Sequence, residues 1–257
     1  MLLPTMTYKE MYDHLSEDLE KIKIRKENLR TKAIKQFRKE SLFPAWRWYE
    51  YIVPKSKNKY IIFFYAESRY FIDNPKVDHF CVVHDNEYNK YIVKSAARVY
   101  KHTIDSQMML IREIQVYTSH FLNRYKERGL KNMSLSTNDV ACRYLSRNKK
   151  SVPIIMNEKI NRHLEKYGPG AKYGFRVRDG FCFAILDIQV VKSNDSVQSK
   201  NKPEALYIVY KTFMNESDMK ENQISAIAQE HIAALQQYTN DFNKEAINGK
   251  INLTLEK

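Results

Sequence analysis

His120, Arg124 and Arg128 stand four residues apart in the stretch Tyr117-Thr-Ser-His-Phe-Leu-Asn-Arg-Tyr-Lys-Glu-Arg-Gly-Leu130. On a helix, that spacing stacks the three side chains along one side with a slow drift around the axis. Phe121, Leu122 and Tyr125 fall on neighbouring faces and can anchor the helix to a sheet. An imidazole beside two guanidiniums suits a phosphodiester. Imidazole moves protons near neutral pH. Each guanidinium offers a planar fork to phosphate oxygens and can stabilise charge that grows in a transition state. The set calls for no metal and no cofactor. The plainer reading of the same residues is an exposed cationic helix face, with Glu127 pairing to Arg124 or Lys131.

The segment from His120 to Leu130 resembles the leading motif H-x-x-x-R-x-x-x-R-G-[IL] of a group of small bacterial domains. That group is similar to RelE-type toxins and, more widely, to the metal-independent ribonucleases of the barnase, colicin and RelE assemblage. The resemblance covers about residues 111–215. It implies a second helix over residues 136–148, a central hairpin over 173–191 and a late strand over 207–212. By the same resemblance His120 is general acid or base, and Arg124 and Arg128 hold the scissile phosphate. Arg176, Arg178 and Lys211 add phosphate contacts from the sheet, and Thr212 orients an oxygen. The implied reaction is metal-independent RNA cleavage. The insert over residues 149–172 is longer than such compact domains usually need, and the flanks 1–110 and 217–257 have no counterpart in them.

The elements around this segment read as helix, strands, short helices, strands, helix. Residues 7–41 carry a capping box, Thr7 with Glu10, followed by apolar positions at three- and four-residue spacing. Strands follow over 46–53, 59–66, 79–84, 91–94 and 110–116. A short helix from Ser119 to Gly129 comes next, then helices over 136–148 and 156–167. Asp179-Gly180 reads as a tight hairpin turn between alternating segments, and residues 217–247 read as a terminal helix. The expected fold is α+β, an antiparallel sheet with short helices before it, flanked by long N- and C-terminal helices. The expected units are residues 1–43, 44–110, 111–216 and 217–257, or all of these in one compact body.

Composition narrows the partners. The formal net charge is +13 in 257 residues, and a cationic surface gathers anions and steers nucleic acid. Nucleic acid, RNA before DNA, is the expected partner. An AT-rich genome would also yield a Lys-rich chain. No apolar run reaches the ~20 residues that span a bilayer, and residues 1–6 are too short for the apolar core of a signal peptide. Three cysteines without CxxC spacing fit a reducing cytoplasm better than a disulfide framework. His79, Cys81 and His84 offer ligand chemistry, but alternation on a strand sends His84 to the opposite face from His79 and Cys81. Trp46, Trp48 and Tyr49 sit in an aromatic strand with Arg47 and are candidates to stack on unpaired bases. Three functions stay open at this point: a RelE-like ribonuclease, a non-catalytic nucleic-acid-binding protein of a mobile element or phage, and a helical assembly protein that self-associates through its terminal helices.

Overall fold

The computed structural model describes residues 1–3, 5–84, 90–100, 109–154, 162, 165–168, 171–191 and 202–218. The first helix, α1 (Tyr8–Phe37), starts at the expected capping box. The Glu10 amide donates to the Thr7 hydroxyl at 3.3 Å, and the Thr7 amide donates to the Glu10 carboxylate at 2.8 Å. Met11, Leu15, Ile22, Leu29, Ala33 and Phe37 form its buried stripe. Asp18 lies in that stripe too. Its Oδ2 accepts from Ser56 Oγ (2.9 Å), Asn58 Nδ2 (2.7 Å) and the Tyr60 hydroxyl (2.9 Å). A buried carboxylate is tolerable only with such a full set of donors.

Among the described residues, nine strands form one sheet. Five come before the short helices: β1 (Ala45–Ile52), β2 (Lys59–Ala66), β3 (Lys76–His84), β4 (Lys90–Tyr100) and β5 (Met109–Tyr117). The chain then makes α2 (Ser119–Arg124), a π turn (Tyr125–Gly129) and α3 (Thr137–Arg147). Four more strands follow: β6 (Ser151–Ile154), β7 (Ala171–Val177), β8 (Gly180–Val191) and β9 (Lys202–Met214). The spatial order is β1-β2-β3-β4-β5-β9-β8-β7-β6.

Two features depart from the expectation. The sheet is mixed, because β5 and β9 run parallel while every other pair is antiparallel. The chain leaves β5 through two helices, re-enters at the far edge and works back strand by strand, so it meets β5 running the same way. The helices α2 and α3 therefore interrupt the sheet's strand sequence and do not precede it. The long C-terminal helix expected over residues 217–257 falls almost wholly outside the described residues; only a short turn, Glu216–Asp218, is seen. The helix expected over 156–167 is likewise outside them, apart from helical Arg162 and Glu165 and from Lys166 and Tyr167, which form a turn.

Strand β2 shows how the layers are held. Its apolar run is buried on both faces. Ile61, Phe63 and Tyr65 pack toward α2 and α3, with Phe121, Tyr125 and Tyr144. Tyr60, Ile62, Phe64 and Ala66 pack toward α1. Each such large apolar side chain contributes about 1.5–3 kcal/mol on burial. Edge strand β6 holds Pro153, which has no amide to give a ladder and is confined to edges. No helix among the described residues is long and apolar enough to cross a membrane.

Candidate phosphate site

Thr118 and Ser119 fix where α2 begins. The Thr118 hydroxyl caps the helix by accepting from the Phe121 amide at 3.2 Å, and donates to the Tyr210 carbonyl at 3.0 Å. Ser119 Oγ donates to the Lys90 carbonyl at 2.6 Å. The helix is thus stitched to β9 and β4 at once, and Phe121, Leu122 and Tyr125 sink into the core below it.

After Arg124 the helix widens. The Leu130 amide donates to the Tyr125 carbonyl at 2.9 Å, an i to i+5 bond. Four residues overshoot a full α turn of 3.6 residues, but they fall short of a π turn. The drift from His120 to Arg124 is therefore countered from Arg124 to Arg128. Gly129 is required there by space: a Cβ would lie 2.6 Å from the Tyr125 ring.

His120 is exposed, and its ring centroid lies 6.1 Å from that of Tyr167. Partial burial, then Arg124, Lys166 and Arg128, push its pKa below the ordinary 6.5. The imidazole is consequently neutral at pH 7 and able to accept a proton. Arg124 Nη1 contacts Glu127 Oε2 at 2.7 Å, as the plainer sequence reading anticipates. Arg128 Nη1 donates to the Phe213 carbonyl at 3.3 Å, and its own carbonyl accepts from Asn215 Nδ2 at 2.9 Å. Beside it an open depression of about 500 Å³ is lined by Glu127, Arg128, Lys131 and Asn215.

The remaining sequence candidates distribute unevenly. Lys211 is the extra residue of a β-bulge, between Tyr210 paired to Ala184 and Thr212 paired to Phe183. Burial lowers its pKa. Thr212 is buried. Phe175 and Val177 of β7 pack beneath α2 and α3, so alternation turns Arg176 to the opposite face. There it pairs with Glu216 at 2.9 Å. Arg178 is exposed in the β7–β8 turn. Trp46 and Trp48 are fastened to α3: their indole N–H groups donate to Ser146 Oγ (2.8 Å) and Asp139 Oδ1 (2.9 Å), and Arg143 covers the Trp46 ring at 4.2 Å. Tyr49 faces α1, where its hydroxyl donates to Gln36 Oε1 at 2.7 Å. His84 is exposed, whereas Cys81 is buried. No group of three His, Cys, Asp or Glu side chains able to hold a metal lies among the described residues.

One cluster was not legible beforehand. Asp179 Oδ2 accepts from the Tyr125 hydroxyl (2.6 Å), Arg147 Nε (2.8 Å) and Asn148 Nδ2 (3.0 Å), while Oδ1 accepts from Arg147 Nη2 (2.7 Å). Burial pushes this carboxyl up, but the bonds from Arg147, Tyr125 and Asn148 together hold it below the usual range. The Asp-Gly pair signals only a turn; nothing in the spacing announces partners more than thirty residues away. The cluster locks the π turn, the end of α3 and the β7–β8 hairpin into one geometry. Compared with known proteins, the chain matches no family model, no curated protein and no solved structure.

Proposed function

We propose that the chain is a nucleic-acid-directed protein that engages the phosphate backbone along the His120–Arg128 ridge and cleaves RNA there without a metal. The observation that carries this reading is the exposed His120 on α2, one turn before Arg124 and two before Arg128; partial desolvation and the nearby cations lower its pKa. In the reaction His120 takes the proton of a ribose 2′-hydroxyl as that oxygen attacks the adjacent phosphorus. Arg124 and Arg128 stabilise the added negative charge on the phosphoryl oxygens. The bond to the 5′-oxygen breaks, that oxygen takes a proton from water, and a 2′,3′-cyclic phosphate remains. The RelE-like motif supports the same roles.

A second reading, binding without turnover, draws on the Arg124–Glu127 pair and on the openness of the depression beside Arg128. Incubating labelled RNA with wild type and His120→Ala in EDTA separates the two. Catalysis requires cleavage by wild type that His120→Ala abolishes. Salt-dependent binding with no cleavage by either protein supports the second reading.

A further inference from the structure

At the end of the sheet away from His120, three large apolar side chains stand in water. Tyr70 is 97% exposed, Leu42 80% and Phe71 45%. Tyr70 and Phe71 belong to a short 3-10 turn, Arg69–Phe71, in the β2–β3 loop. Leu42 lies in the link from α1 to β1. The Arg38–Asp73 ion pair, at 2.6 Å, ties the end of α1 to this loop.

The end of α1 that arrives here is the cationic one. Residues 8–20 carry Lys9 against Glu10, Asp13, Glu17, Asp18 and Glu20, one cation and five acids. Residues 21–39 carry nine Lys or Arg and a single acid, Glu27. Locally, Arg38 is matched by Asp73, Lys76 by Glu67 and Arg47 by Glu40. Lys35, Lys39 and Arg69 are exposed and form no ion pair among the described residues.

A cationic track that ends on an exposed aromatic matches the way proteins hold single strands: charge follows the backbone while rings receive unpaired bases. A duplex keeps its base faces covered and can use only the charge. We infer that the basic half of α1 and the Tyr70–Phe71 turn form a binding surface for single-stranded nucleic acid.

This surface is separate from the His120 ridge. Tyr117, which leads into α2, is in register with Ile92, Ile92 with Val82, and Val82 with Lys59. The ridge thus leaves the sheet at the Lys59 end, while the Tyr70 turn follows Ala66 at the other. Strand rise and strand spacing put the two roughly 30 Å apart.

The test uses the full chain and fluorescence anisotropy with labelled oligothymidine of about fifteen residues, against the same strand paired to oligoadenosine. DNA lacks the 2′-hydroxyl, so cleavage does not interfere. Wild type should prefer the single strand. Tyr70→Ala should weaken that binding about tenfold and leave the duplex unchanged, while Tyr70→Phe retains wild-type affinity. Lys35→Glu with Lys39→Glu should weaken both and flatten the salt dependence. Oligothymidine binding and RNA cleavage in EDTA are read separately on the same wild-type protein, so failure here is distinct from failure of the ribonuclease reading. Equal affinity for both forms, or no effect of Tyr70→Ala, overturns the proposal. Binding of phosphatidylserine vesicles without oligonucleotide binding overturns it as well, as does self-association through Tyr70 without oligonucleotide binding.

Discussion

The Tyr125 hydroxyl donates to the Asp179 carboxylate at 2.6 Å, joining the turn that carries Arg128 to the tip of the β7–β8 hairpin. Tyr125 is fully buried, and Asp179 also receives Arg147 and Asn148. Replacing Asp179 by Ala leaves those donors without an acceptor. The expected loss is about 3 kcal/mol, read from urea unfolding of Asp179→Ala against wild type. Because the folded carboxyl is held below its ordinary 3.8, its contribution is present above that pH. It is lost as pH falls through the lowered folded value.

Gly129→Ala puts a methyl 2.6 Å from the Tyr125 ring and 3.2 Å from Phe213. The ring must move, and with it the bond to Asp179. Destabilisation of about 1–3 kcal/mol is expected. Double-mutant analysis with Tyr125→Phe should show strong coupling, since both changes act on one contact.

His79 gives the fold an acid sensitivity. Burial beneath α1 and the nearby Lys26 drive its pKa down from 6.5 to about 4, against the pull of Asp78. The unfolded chain binds that proton below about pH 6.5 and the folded chain does not. Stability should fall as pH drops from 6.5 toward 4, then lose this dependence. In His79→Gln the slope over that window should shrink, as chemical denaturation at a series of pH values will show.

Much of this architecture was legible in the residues. Thr7 and Glu10 mark the start of α1, the run from Tyr60 to Ala66 marks a strand buried on both sides, and Asp179-Gly180 marks the hairpin. These are local signals, written in capping chemistry and apolar patterning. What stayed hidden depends on distant partners. Nothing beside Asp18 shows that Ser56, Asn58 and Tyr60 will satisfy it. The parallel pairing of β5 and β9 follows from the path of the intervening chain, not from either strand. Trp46 and Trp48 look like stacking rings by type, yet their indoles are engaged by Ser146 and Asp139. For the site, spacing put His120, Arg124 and Arg128 on one helix. The π turn over Tyr125–Gly129, where the Tyr125 ring lies close against Gly129, carries no such signal in the spacing.

The electrostatics of the ridge are open to direct titration. Removing a neighbouring cation should raise the His120 pKa, because Arg124 and Lys166 both depress it. Arg124→Gln and Lys166→Gln should each move the imidazole NMR titration to higher pH. If His120 is the base, the cleavage profile should move by the same amount.

The most direct test of the account is the product of RNA incubation in EDTA. Wild type should yield fragments ending in 2′,3′-cyclic phosphate. His120→Ala should yield none while still binding RNA, and a single 2′-deoxy substitution should block cleavage at that position. The absence of cleavage by wild type, or undiminished cleavage by His120→Ala, contradicts the assignment of His120 as the proton acceptor.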